Sequence, residues 1–198
     1  MSDALWDQKI EDFYEHDYDE DNPAGAIAII DRLVSERPPG DAAGLFELAA
    51  VRDSFGLEAE AIPLYRAALT AGLRGERANR VVIQLASSLR NVGQSTEAVR
   101  LLESLDDAGV DESARLAFLA LAQFDEGRQG EALRTVLHAL IPHLDGYGRA
   151  LAEYADALPP GGCRASVGPF RSRQQRAIGG YPPTALCLCA SLARRPTT

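Results

Sequence analysis

Cysteine is missing from the first 158 residues, lysine occurs once, at Lys9, and no acidic residue follows Asp156. Each gap excludes something. Cys163, Cys187 and Cys189 all fall in the last 40 residues, so no disulfide framework can staple the body of the chain, and a secreted, disulfide-built scaffold is set aside. No apolar run approaches the roughly 18 residues that span a bilayer. Residues 1–12 carry acids and a tryptophan where a targeting segment would carry a basic start and an apolar stretch. A soluble, cytoplasmic protein without a membrane partner is expected.

The charge is unevenly placed. Six of the 20 basic residues lie in 159–198, which leaves 14 against 29 acids in residues 1–158, a net of −15. A body this negative repels a nucleic-acid backbone, so nucleic acid is not an expected partner. With 198 residues and 46% of them apolar, the chain is long enough for one compact core or a short helical array.

An internal period is present. Gly56, Gly93 and Gly127 stand 37 and 34 residues apart, and each is followed five positions later by an alanine: Ala61, Ala98, Ala132. Before the glycines come Leu45, Leu48 and Ala49; Val82, Leu85, Ala86 and Leu89; and Leu116, Leu119 and Ala120. After them come Tyr65 and Ala68; Leu102 and Leu105; and Val136 and Ala139. Apolar residues at steps of three and four on both sides of a glycine describe two amphipathic helices joined by a tight turn. Glycine suits that turn because it adopts the left-handed conformation without a Cβ clash.

This pattern resembles the tetratricopeptide repeat over roughly residues 24–140. Leucine or valine stands in place of the leading tryptophan, and Arg52 and Gln123 occupy positions usually held by bulky residues. A looser unit precedes it: 3–15 with Leu5, Trp6, Ile10, Phe13 and Tyr14, an acidic turn, then Asp21, Asn22 and Pro23 opening a helix with Ala26, Ile30 and Leu33. The fold expected is all-α, a short right-handed solenoid of hairpins at about 3–39, 41–73, 78–106 and 112–141. A capping helix at 147–158 would close it.

The resemblance implies a non-catalytic module that binds a protein or peptide on a concave face made by the first helix of each hairpin. On that face it places Phe46, Asp53, Arg80, Ile83, Ser87, Arg90, Asn91, Leu121 and Phe124. Arg80, Arg90 and Asn91 are candidates to grip a carboxylate of the partner. The competing expectation is that they pair with acids on neighbouring helices. A second functional expectation is structural, a homodimer formed through exposed apolar residues of the terminal helices such as Trp6 and Phe13.

Motifs for chemistry are weak. Asp17, Asp19 and Asp21 alternate as at the start of a calcium loop, but Asn22 and Ala28 stand where glycine and glutamate are required. His138 and His143, and the Cys187–Cys189 pair, lack further ligands nearby. Phosphate loops, nucleophile elbows and dinucleotide fingerprints do not occur, so no enzyme, cofactor or metal is expected. From 159 onward an Arg, Pro and Gly-rich segment without acids is expected to be a disordered tail. It has three alternatives: an internal ligand for the acidic body, a phosphate-binding arm, or the product of a shifted reading frame.

Overall fold

The structure, a computed structural model, describes residues 3–105, 111–159 and 161. What was expected of the tail falls, beyond residue 161, outside the described residues. Among these residues the chain is all-α, with nine α-helices and no strand. They are α1 (Asp3–Asp12), α2 (Pro23–Ser35), α3 (Ala42–Ser54), α4 (Glu58–Thr70), α5 (Glu76–Asn91), α6 (Ser95–Glu103), α7 (Glu112–Asp125), α8 (Gln129–Leu140) and α9 (Gly148–Asp156). Helices pair as α3 with α4, α5 with α6 and α7 with α8; α4 and α6 also pack on the first helix of the following pair, and α8 packs on α9.

The turns follow from the glycines. Gly56, Gly93 and Gly127 have φ of 71°, 79° and 78°, and the amide after each one donates back to the helix it closes: Leu57 to Arg52 O, Gln94 to Leu89 O and Arg128 to Gln123 O. This double-bonded left-handed closure ends a helix sharply and satisfies carbonyls that would otherwise have no donor. At the opposite ends, the side chains of Asn22, Asp41 and Asp111 accept from the amides of Gly25, Gly44 and Ala114, which caps α2, α3 and α7.

The small residues at the hairpin contacts, Ala49, Ala61, Ala86, Ala98, Ala120 and Ala132, are all buried and let paired helices approach closely. A core of Phe46, Tyr65, Val81, Leu85, Leu89, Val99 and Leu102 runs through α3 to α7. A second core joins Trp6, Ile10, Phe13, Ile30, Leu33 and Val51. Burying an aromatic side chain of this size stabilises by about 2–3 kcal/mol.

Two expectations are corrected in this second core. Trp6 and Phe13 are 0% and 1% exposed, so they cannot pair two chains. The Trp6 indole Nε1 donates 3.1 Å to Leu33 O, and its ring lies beneath the guanidinium groups of Arg37 and Arg77. The helix expected over 3–15 also changes character after Asp12, becoming a π turn over Phe13–Asp17 closed by the Tyr18 amide on Phe13 O. That wider turn sets Phe13 and Tyr18, five apart, on one side, where Tyr18 stacks on Phe55 at 5.3 Å.

At the other end α9 rests on α8. Ala155 is fully buried, and Arg134 donates from Nε to Ala155 O and from Nη2 to Leu158 O. Gly130 permits this: a Cβ there would lie 1.8 Å from Pro159 O. Leu133, Val136 and Leu140 nevertheless remain 40–47% exposed. By contrast, Val99 and Leu102, the apolar residues of the second helix one period earlier, are buried.

Candidate partner-binding face

Shifting α5 by 37 positions back and 34 forward places Glu47, Gln84 and Phe118 at one repeat position, and Asp53, Arg90 and Phe124 at another. These rows lie on the first helices α3, α5 and α7. The face they form changes from acidic to mixed polar to aromatic along the stack.

Its N-terminal section is held by one arginine. Arg77 donates from Nε to Glu47 Oε1 at 2.7 Å and from Nη1 to Asp7 Oδ1 at 2.9 Å, tying α5 to α3 and α1. Glu47 is 3% exposed; burial pushes its carboxyl above the usual range, and Arg77 and Arg80 oppose that shift. The Tyr14 hydroxyl donates to Glu47 Oε2 at 3.4 Å, and burial together with the Glu47 charge raises the phenol. Around this network lies a hollow of about 640 Å³. One wall carries Asp7, Ile10, Glu11, Tyr14 and Glu15; the other carries Arg74, Glu76, Arg77 and Arg80.

A second hollow, of about 350 Å³, lies between α3, α5 and α7 and is lined by Asp53, Arg80, Ile83, Gln84, Ser87 and Phe118. Arg80 belongs to both hollows. Asp53 accepts from Ser88 Oγ at 2.7 Å and from the Tyr65 hydroxyl at 3.2 Å, and burial raises its carboxyl despite these donors. Gln84 Oε1 is buried without a partner among the described residues, an unmet acceptor beside the hollow.

Of the nine residues expected on this face, Asp53, Arg80, Ile83 and Ser87 share the second hollow. Phe46 does not reach the surface. It is fully buried against Tyr65, with the Arg80 guanidinium 5.7 Å above its ring, so the expectation that it touches a partner is corrected. Arg90 sits 2.5 Å from Asp125, and Asn91 donates to Glu58 at 3.0 Å. Both are engaged by neighbouring helices, which leaves Arg80 as the member of the proposed carboxylate grip without an ion pair among the described residues. Leu121 and Phe124 are 45% and 58% exposed, outside both hollow linings. Gln84, Phe118 and the α1 wall were not anticipated. The repeat period itself held the signal for the first two, since both are equivalents of Glu47.

The histidines separate: His138 meets Asp156 at 2.9 Å and His143 meets the Ser113 hydroxyl at 3.1 Å. Arg52 and Gln123, the polar residues at bulky positions, are accounted for. Arg52 pairs with Asp31, and Gln123 accepts from Thr135 at 2.9 Å. Among the described residues no group of three or more His, Cys, Asp or Glu could hold a metal ion. No helix among them is long and apolar enough to cross a membrane.

A family model described as a tetratrico peptide repeat matches residues 42–158, more than half of the chain. No curated protein matches the chain, and no solved structure does.

Proposed function

We propose, from the premise that this chain belongs to the tetratricopeptide repeat family, that it is a non-catalytic interaction module binding a protein or peptide partner along the face of α1, α3, α5 and α7. The observation that carries this reading is the pair of hollows meeting at Arg80. The second of them combines an apolar wall, Ile83 and Phe118, with Arg80, a cation that has no ion pair among the described residues. Such a mixture suits a peptide whose apolar side chain fills the wall while a carboxylate meets Arg80.

The test is selection from a displayed random-peptide library on the full chain, followed by affinity measurements on Arg80→Ala, Phe118→Ala and, as a control on α2, Arg32→Ala. Selected peptides lose at least tenfold in affinity on the first two and nothing on the third. Selection of no peptide, or peptides indifferent to Arg80 and Phe118, removes the proposal.

A second reading, self-association, is supported by a different observation, the exposed Leu133, Val136 and Leu140 on α8. Light scattering on the full chain decides it. A monomer at all concentrations excludes it.

A further inference from the structure

Leu133 and Val136 occupy the repeat positions of Val99 and Leu102 on α6 and of Ile62 and Tyr65 on α4. On α4 and α6 these positions are buried, in the core that continues into the first helix of the following pair. On α8 they stand exposed, because α9 meets that helix along Gly130, Arg134 and His138 instead.

The two helices sort their residues by side. At about 100° per residue, Glu131 and Arg134 lie within about 40° of His138 around α8, and Arg149 and Glu153 within about 60° of Asp156 around α9. His138 meets Asp156 at 2.9 Å, so the charged residues of both helices gather about that contact. Half a turn away the hairpin is apolar: Leu133, Val136 and Leu140 lie about 140–160° from His138, and Tyr154 about 160° from Asp156. Tyr154 is 64% exposed. Tyr147, two turns before it at the N-cap of α9, is 91% exposed and has φ of 65°, the one positive value outside glycine among the described residues. An aromatic residue held in the left-handed region with almost nothing of its own chain around it is an outlier that the single chain does not explain.

We infer that this side of the α8–α9 hairpin joins two copies of the chain about a two-fold axis, with α8 crossing α8 so that Val136, the middle of its row, stands beside its counterpart. This rests on the self-association reading and names its contact. Charge selects the occupant. Residues 1–158 hold 14 basic groups against 29 acidic ones, so a second copy approaches only across a surface that is not itself acidic. Here the charges are turned away and engaged: Glu131 with Arg128, Arg149 with Glu153, Asp156 with His138. A head-to-tail contact would instead cover α1, where Asp3, Asp7, Glu11 and Asp12 outnumber Lys9, and would desolvate charge. The two-fold contact buries an apolar row on each copy and closes at two. It also leaves the candidate face on α1, α3, α5 and α7 open in both.

Sedimentation velocity of the full chain over roughly 1–300 µM is expected to show one reversible step from monomer to dimer. Val136→Glu and Val136→Lys each stay monomeric, because the axis sets like charges side by side, and an equimolar mixture of the two dimerises. Tyr154→Glu, at a position too exposed to support the fold, weakens the dimer at least tenfold. Tyr147→Gly weakens it similarly while the thermal midpoint of the monomer holds or rises, since glycine takes a positive φ freely. A monomer throughout overturns the inference and the self-association reading together and leaves this side to a different protein. A dimer indifferent to Val136→Glu and Tyr154→Glu keeps the reading and overturns the inference, as does a mixture of folded Val136 variants that stays monomeric. Growth beyond the dimer overturns the two-fold closure. Where circular dichroism shows a Val136 variant unfolded, the two tyrosine variants decide: a dimer as tight as the native one in both overturns the inference.

Discussion

Glu47 and Arg77 form a deep ion pair on the candidate face: a carboxylate that is 3% exposed accepts a 2.7 Å hydrogen bond from a guanidinium 30 residues later in the chain. Removing the arginine alone leaves a buried charge without compensation, a change that costs about 3–5 kcal/mol in comparable sites. Because Arg77 is itself partly exposed, the lower end applies. Arg77→Met is expected to destabilise by about 3 kcal/mol in urea unfolding, and Glu47→Gln in that background to recover most of the loss.

Asp53 supplies a pH test. Burial raises its carboxyl above the usual 3.8, so the folded state binds its proton more tightly than the unfolded one. Its contribution to stability is complete below the unfolded value and is lost as pH rises through the folded one. The amide introduced by Asp53→Asn cannot titrate and keeps an oxygen to accept from Ser88. The stability of the native chain relative to this variant is therefore expected to fall between acidic and neutral pH. Denaturation of both proteins across pH 3–7 checks the sign, and a gap that stays constant or reverses contradicts it.

Gly93 tests the turn. Its φ of 79° lies in the left-handed region with open space around it, so an alanine there meets no neighbour and suffers only the backbone penalty. Gly93→Ala is expected to cost about 1–2 kcal/mol, and Gly93→Asn less, since asparagine tolerates this region better. Thermal unfolding ranks the three proteins.

Gly130 sets two effects against each other. Alanine is favoured over glycine inside a helix by about 1 kcal/mol, but here its Cβ would meet Pro159 O at 1.8 Å, against backbone that cannot simply rotate away. Displacement of that contact is expected to win locally and not globally. Gly130→Ala should leave the unfolding midpoint nearly unchanged while limited proteolysis cuts faster between α8 and α9.

How much of this could be seen beforehand divides along a physical line. Helices and turns were legible because the glycine period and the three-and-four apolar spacing act locally, and the family match over 42–158 agrees with the repeat identified from those residues. Exposure was harder. Phe46 and Ile83 are equivalent by register, yet Phe46 turns inward against Tyr65 while Ile83 lines a hollow. Side-chain reach decided this, and the period is silent on it. For Arg90 and Asn91 the sequence leaves a carboxylate grip and pairing with neighbouring helices both open, because the acids they meet, Asp125 and Glu58, are distant in sequence. The π turn at Phe13 and the α1 wall depend on how one hairpin sits on another, which no single helix encodes.

The chain's only tryptophan, Trp6, lies wholly inside the N-terminal core with Arg77 over its ring. The protein thus has one indole fluorophore, placed at one end of the stack and one side chain away from the hollow lined by Asp7, Tyr14 and Arg77. Its emission reports the N-terminal hairpin alone, whereas far-ultraviolet dichroism averages over every helix. Superimposable melting curves from the two signals would mean the hairpins unfold together; separated ones would mean that they come apart in turn, as weakly coupled neighbours do. The same indole gives a label-free optical signal for a ligand settling over Arg77.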